Sequence, residues 1–194
     1  MSMNDPYSPS RIVDRLQIQD AIFRYCRGID RQDYDAVRST YHSDAIDLHG
    51  PYQGSVDGLI EWMKDRHKSV PFSLHSVTNM LIEFADNDLA IVETYMTCTQ
   101  YYPAESKATL SQLSGGESGK AGVANHLVLF ARYIDRFERR DGLWKVGHRT
   151  IAFDSSMMFE ESPNAPRAGQ DWVIGLRSKN DPLYRERAKA GIVD

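Results

Sequence analysis

The spacing of apolar residues predicts three helices in the first third of the chain. A stripe with helical periodicity runs through residues 9–29 and is formed by Ile18, Ile22, Tyr25 and Ile29. Two shorter helices are predicted to begin after Asp33 and Ser55, because both side chains are suited to capping a helix N-terminus. Between them, residues 45–49 have the alternation of a short strand, and residues 50–54 are rich in turn formers.

The second half of the chain has the alternation of apolar and polar residues that is typical of strands. Four long strands are predicted, at residues 72–84, 89–102, 123–139 and 143–154. The last two are joined by Asp141 and Gly142, a pair that favours a tight hairpin turn. Residues 104–122, between the two hairpins, are rich in Ser, Gly and Lys, and we expect a mobile loop that can cover the mouth of a pocket.

Three helices followed by a long antiparallel sheet predict an α+β fold. If the sheet curves strongly and the helices close one side, the result is a cone whose inner face lines a cavity. Residues 1–159 would form this cone domain. Residues 160–194 would form an extension, with a short helix near residues 183–190, that packs on the domain or on a neighbouring subunit. Around His75 both strand faces are substantially apolar, so alternation leaves open which one is the inner face.

Composition and charge narrow the class of protein. The 194 residues are 41% apolar and 26% charged, which is ordinary for a single globular domain. A net charge of -4 without a basic block argues against binding to nucleic acid. No apolar run has membrane-spanning length, and residues 1–10 are too polar for a signal peptide, so we expect a cytoplasmic protein without membrane attachment. Both cysteines, Cys26 and Cys98, are interpreted as core residues.

Asp30 and His75 are the strongest candidates for chemistry. Asp30 ends the first helix but falls within its apolar arc, and His75 lies in an alternating segment typical of a strand. A carboxylate that orients an imidazole is the minimal pair for moving a proton. The alternative for Asp30 is structural, because a carboxylate at a helix end can bind the amides of the following loop.

A resemblance to a known family is carried by five segments: residues 18–30 (IQDAIFRYCRGID), 33–37, 41–45, 75–79 (HSVTN) and 137–145. They are similar to the SnoaL-like proteins of the nuclear-transport-factor-2-like superfamily. That superfamily includes polyketide cyclases, scytalone dehydratase, bile acid 7α-dehydratase and the lindane dehydrochlorinase. The resemblance covers roughly residues 12–154 and implies an α+β barrel in the form of a cone.

The resemblance also implies a catalytic dyad of Asp30 and His75. His75 would take a proton from a substrate carbon, while Asp30 fixes its tautomer and stabilises the imidazolium. In members similar to bile acid dehydratase, a tyrosine five residues before the aspartate and an arginine in the last strand complete the set, and Tyr25 and Arg149 match them. Tyr25 would donate a hydrogen bond to a carbonyl or leaving hydroxyl, and Arg149 would hold an anionic oxygen. This chemistry needs no metal and no organic cofactor, and the chain has no G-x-G-x-x-G, P-loop or H-E-x-x-H motif.

Each of these residues has a structural alternative. Tyr25 fits the apolar stripe of the first helix, and Arg149 could instead form a salt bridge on the sheet. Asn79 is a candidate substrate-binding residue because it shares a strand face with His75. His126 is another, because it alternates with apolar residues, although such a histidine is more commonly a core residue. The remaining histidines of the first half are interpreted as surface or helix-face residues: His42, His49 and His67.

Two functions remain open. The first is a cofactor-independent lyase or isomerase, similar to a dehydratase, that acts on a small hydrophobic cyclic or aromatic substrate. The second is a non-catalytic ligand-binding protein or the small structural subunit of a ring-hydroxylating dioxygenase. A dyad within hydrogen-bond reach inside a cavity favours the first, whereas a cone filled by side chains fits the second. A sheet with an apolar outer face also favours a homodimer or homotrimer.

Overall fold

The computed structural model describes residues 5, 7–117 and 119–192, and these form an α+β fold. The helices are α1 (Pro9–Arg31), α2 (Tyr34–Ser39), α3 (Val56–His67), α4 (Lys107–Ser111) and α5 (Pro182–Lys189). The strands are β1 (Tyr41–His49), β2 (Tyr52–Ser55), β3 (Phe72–Phe84), β4 (Leu89–Tyr102), β5 (Asn125–Arg140) and β6 (Leu143–Glu160). The outermost residues of the two predicted units, 1–4, 6 and 193–194, lie outside this description.

The strands form a curved sheet in the order β2-β1-β6-β5-β4-β3. The predicted α+β fold with a curved sheet is confirmed, and the sheet differs from the expected antiparallel one in a single pairing, because β1 pairs with β6 in parallel and the sheet is therefore mixed. Strand alternation specifies which side chains face the core, but it does not specify the partner strand, so this pairing was not visible in the sequence. Helices α1 and α3 close the inner face of the sheet and bury their apolar side chains in one core with it.

Short sequence signals explain where the helices and the last hairpin begin and end. The side chain of Asp33 accepts a hydrogen bond from the amide of Ala36, and Ser55 caps α3 in the same way, as predicted. Gly28 allows α1 and α2 to approach closely, because a Cβ at this position would lie 2.8 Å from Cγ2 of Val37. In the hairpin between β5 and β6, Asp141 has φ 52° and is followed by Gly142, as a tight primed turn requires.

A bulge in β3 decides which residues face the interior. The pairing of β3 with β4 shifts register between Val77 and Met80. His75 and Val77 face inward before the bulge, and Met80 and Ile82 face inward after it. Asn79 lies within the bulge and is exposed. Asn79, predicted as a substrate-binding residue, therefore lies outside the cavity wall described below, because strict alternation does not hold through a bulge.

Residues 104–122 contain more regular structure than the mobile loop that was expected. A 3-10 turn, Ala104–Ser106, leads into α4, and Leu110 is fully buried in a second apolar cluster with Val70, Tyr102 and Leu127. Residues 112–115, which follow α4, lie at the cavity described below. Residue 118 of this predicted loop is outside the described part of the chain.

The extension after β6 contacts the helices of its own chain. Its helix α5 is capped by Asp181, which accepts a hydrogen bond from the amide of Leu183 at 3.0 Å. The hydroxyl of Tyr184 donates to Asp33 at 2.9 Å, so the extension reaches the junction of α1 and α2. Among the described residues, no helix has both the length and the apolarity to cross a membrane.

Candidate active site

A cavity of about 450 Å³ lies between the helices and the inner face of the sheet. Helices α1 and α3, strands β3 to β6 and the segment after α4 all contribute to its wall. Most of the wall is apolar and is formed by residues such as Met63, Met96, Leu113, Leu129, Ile151 and Phe153. A site of this volume and apolar character suits a small organic ligand.

His75 and Asp30 are in direct contact at this cavity. His75 lines the wall, and its Nδ1 lies 2.7 Å from Oδ1 of Asp30, so the contact predicted from the sequence is present. Asp30 also accepts the backbone amide of His75 at 2.8 Å and the hydroxyl of Ser73 at 3.2 Å. These three donors fix the carboxylate. Because Nδ1 is engaged by Asp30, Nε2 is the ring nitrogen that remains for a ligand.

The surroundings of His75 make it a stronger base than an ordinary histidine. Burial of the ring lowers its pKa, but the neighbouring Cys98 and the carboxylate of Asp30 raise it, and the resulting pKa lies well above the ordinary value. Cys98, which pairs with His75 across β3 and β4, raises the pKa through its charge and a side-chain hydrogen bond, and Asp30 raises it in the same two ways. The carboxylate of Asp30 holds the ring at a distance of 2.7 Å.

Tyr25 lines the same cavity from α1 and is 1% exposed. Burial raises the pKa of its hydroxyl strongly, although the charge of Arg149 opposes this effect. The hydroxyl therefore stays protonated and can act only as a donor toward an anionic oxygen. The guanidinium of Arg149 lies over the Tyr25 ring, 4.2 Å from its centroid, and this contact holds the ring in place.

Arg149 occupies a different position from the one expected. It is fully buried and is absent from the cavity wall. Its Nε and Nη2 each donate to Asp135 at 2.7 Å, and Nη1 donates to the hydroxyl of Tyr41 at 3.2 Å. Because Arg149 donates to these internal acceptors and lies outside the cavity wall, it supports Tyr25 from behind. The salt bridge considered as its alternative exists, but it is buried within the sheet interior.

His126, predicted as a substrate-binding residue, lies away from the cavity wall. His126 is on the outer face of β5, where its ring packs against Tyr101 at a centroid distance of 4.9 Å. The inner face of β5 belongs to the alternate residues, and Leu129 and Ala131 are the ones that reach the cavity. His126 alternates with apolar residues because the outer face of this sheet is apolar as well.

The sequence pattern of the SnoaL-like domain matches residues 10–150, which is most of the chain and includes Tyr25, Asp30, His75 and Arg149. The chain belongs to the SnoaL-like family. No curated protein matches its sequence.

Several solved structures share the SnoaL-like fold of this chain. Hexachlorocyclohexane dehydrochlorinase LinA-type3 from Novosphingobium barchaimii superposes with a TM-score of 0.64 at 19% identity, over 81% of this chain and 97% of the other. The Kfla4162 protein from Kribbella flavida has a TM-score of 0.61 at 13% identity, over 75% of this chain and 94% of that one. A variant of Rv3472 from Mycobacterium tuberculosis, whose function is unknown, has a TM-score of 0.58 at 21% identity, over 77% and 78%. At these identities the superpositions show a shared fold.

His49 and His67, which were predicted to be surface or helix-face residues, line the cavity of this SnoaL-like domain. The Nδ1 of His49 lies 3.2 Å from Oδ1 of Asp47, so a second imidazole is oriented by a carboxylate. Asp47 is fully buried and shares the inward phase of β1 with Tyr41. The alternation of β1 places Asp47 on the face that points inward. A carboxylate at such a position could have identified this pair, because a buried charge requires a partner.

His67 is the other of these two histidines. It ends α3, is 4% exposed and accepts a hydrogen bond at Nδ1 from Nη2 of Arg177 at 3.3 Å. Burial of the ring, together with the charges of Arg177 and Arg66, lowers its pKa to about 2. The ring is therefore neutral across the physiological range. Because Nδ1 accepts, Nε2 carries the proton and is a donor.

Arg177 connects the extension to the dyad, although it lies beyond the SnoaL-like match. Its guanidinium donates to the carbonyl oxygens of Ile29 at 3.0 Å, Asp30 at 3.1 Å and Val70 at 2.6 Å. These carbonyls belong to the end of α1, which carries Asp30, and to the segment just before β3, which carries His75. The extension thus fixes the two backbone segments that bring the dyad together.

Proposed function

We propose that the protein is a cofactor-independent lyase or isomerase in which His75 and Asp30 move a proton on carbon. The observation that carries this proposal is the 2.7 Å contact between the two side chains at the wall of an apolar cavity. A base with a raised pKa in such a cavity is suited to removing a proton from carbon next to an electron-withdrawing group.

The proposed step begins with the neutral imidazole. Nε2 of His75 takes the proton, the C–H electron pair forms a new double bond, and Asp30 stabilises the imidazolium. In a dehydration the C–O bond then breaks, and the leaving oxygen receives a proton to depart as water. His49, which also lines the cavity, is the candidate proton donor for that oxygen, and Tyr25 is the candidate hydrogen-bond donor to it. In an isomerisation His75 returns the proton to another carbon.

The substrate proposed is a small hydrophobic cyclic or aromatic compound. A cavity of about 450 Å³ with a mainly apolar wall fits one or a few fused rings. A structural neighbour is named as a dehydrochlorinase of hexachlorocyclohexane, and its name denotes an elimination from a ring. That likeness establishes the fold, so the reaction class proposed here depends on the dyad and the cavity.

Deuterium exchange in D₂O tests the proposal before the natural substrate is identified. Cyclic hydroxyketones, phenolic polyketides and steroid-like ketones would be incubated with the protein, and NMR would follow exchange at carbons next to the carbonyl. We expect His75→Ala and Asp30→Asn to lower the exchange rate by roughly 10²–10⁴. His126→Ala is the matched control, because it removes a histidine from the outer face.

Thermal shift measured on the same panel separates the two functions that the sequence left open. Ligands that bind raise the melting temperature with concentration whether or not they react. Binding with exchange that depends on His75 supports the enzyme. Binding without exchange in any compound would favour a ligand-binding protein. Exchange at the wild-type rate in folded His75→Ala would remove His75 as the base.

A further inference from the structure

Arg66 is a buried cation at the cavity wall whose partners are all neutral. It is 5% exposed and lines the cavity from the last turn of α3. Its Nη2 donates to Oε1 of Gln100 at 3.1 Å and to the hydroxyl of Tyr102. Nε has no acceptor within the described part of the chain, and no Asp or Glu described there lies at ion-pair distance from it. A buried charge without a counter-ion is costly.

Two other buried arginines of the same domain show how the chain satisfies such a charge. Arg149 makes a two-pronged ion pair with Asp135, and Arg11 pairs with Asp14 at 3.1 Å. Arg66 differs from both in its position, because it alone of the three lines the cavity. Its counter-ion can therefore arrive from the cavity.

A chain of hydrogen bonds connects Arg66 with the dyad. Gln100, which accepts from Arg66, donates through Nε2 to Oγ of Ser73 at 3.3 Å, and Ser73 donates to Asp30 at 3.2 Å. Ser73 pairs with Gln100 across β3 and β4, and the next inward pair is His75 with Cys98. Two residues along a strand span about 7 Å. Gln100, the partner of Arg66, and Cys98, the neighbour of the imidazole, are therefore separated along β4 by about the width of a small ring.

We propose that the cavity binds a small cyclic carboxylate, with its carboxylate group at Arg66 and its reacting carbon at His75. The guanidinium is a charged donor for a carboxylate oxygen, and the apolar wall between the two ends accommodates the ring. This inference builds on the proposed function, since it names the substrate class of the same site. It replaces Arg149 with Arg66 as the residue that holds an anionic oxygen.

Binding of matched acids and amides tests this assignment. The pairs are benzoate with benzamide, phenylacetate with phenylacetamide, and cyclohexanecarboxylate with its amide, each titrated by calorimetry and by thermal shift. We expect wild-type protein to prefer the acids by roughly ten- to a hundredfold in Kd, the range of a charge-assisted pair. Arg66→Gln should abolish the preference and Arg66→Lys should keep part of it. Lys64→Gln removes an exposed charge from the same helix and should change nothing.

The outcomes separate this inference from the proposed function. Equal binding of acids and amides to wild type, or no binding of any acid, would overturn it, even where Arg66→Gln does not fold. A preference that persists in folded Arg66→Gln would overturn it too. His75→Ala should bind the acids as wild type does. If the acids bind at Arg66 but no compound shows exchange that depends on His75, the binding assignment stands and the proposed function is contradicted. If only neutral ketones bind and show that exchange, the proposed function stands and the binding assignment is contradicted.

Discussion

Replacing His67 by glutamine should make the protein more resistant to mild acid. The ring is buried between Arg177 and Arg66, and burial together with these charges lowers its pKa to about 2 from the ordinary 6.5. In the unfolded chain the same histidine takes up a proton near pH 6.5. Unfolding therefore binds a proton between these two values, and stability falls as the pH falls through 6.5. Glutamine keeps an acceptor for Arg177 but cannot take up a proton.

The size of the effect follows from the two pKa values. Each pH unit below the unfolded pKa costs about 1.4 kcal/mol of stability until the folded pKa is reached. Between pH 7.5 and pH 5 the folded ring stays neutral, so the loss from His67 is about 2 kcal/mol. His75 acts in the opposite direction, because its pKa is raised in the folded protein. Its contribution is complete below the unfolded pKa and is lost as the pH rises through the folded pKa.

Urea denaturation of wild type and His67→Gln at several pH values isolates this contribution, because the other titrating groups cancel in the difference. The difference in unfolding free energy should change by about 2 kcal/mol in favour of the variant between pH 7.5 and pH 5. His126→Gln, on the outer face, controls for removal of a histidine as such. A difference that stays constant over this range would show that folded His67 takes up its proton, and would refute the reasoning.

Four further outcomes are expected. The exchange rate should rise with pH through the raised pKa of His75. Asp30→Asn should move this rise to lower pH and reduce the maximal exchange rate. A rise at the same pH as in wild type would contradict the role of Asp30. Asp135→Asn should cost about 3–5 kcal/mol in urea denaturation, because Arg149 is left without its counter-ion, and a loss below about 1 kcal/mol would refute this. Arg177→Met should slow exchange and displace its pH profile, whereas a purely structural role would change only the melting temperature. Light scattering should give a dimer or trimer, because the outer face of β6 exposes several large apolar side chains, and a monomer would contradict this.

The sequence was most informative where a local signal determines the structure. The bounds of β3 and β4 agree with their prediction, because long alternation between clear turn residues leaves little freedom. Strand β2 was missed because it lies in a segment with the composition of a turn. The mixed sheet was missed because strand order depends on contacts that are distant along the chain. The bulge in β3 was missed because neither Thr78 nor Asn79 is a residue type that marks a bulge.

The apolar periodicity of the first helix and the family resemblance predicted part of the site. Asp30 and His75 meet as expected because each occupies an inward position of its own element. The partner of Arg149 could have been found as well, since Asp135 lies in the inward phase of β5. Arg66 offered no such signal, because a charged residue near the C-terminal end of a helix is usually a solvated one that favours the helix dipole.

The distribution of buried charge along the interior is itself an argument for where a ligand binds. Away from the cavity, Arg149 pairs with Asp135 inside the protein, so the cation is balanced without any ligand. At the end that contains the cavity, Asp30 is engaged by His75, and Arg66 is left with neutral partners. If Arg66 served stability alone, a carboxylate at position 100 would serve better than the amide of Gln100. An amide at this position leaves the positive charge available, and it does so on the side of the interior that a substrate can enter.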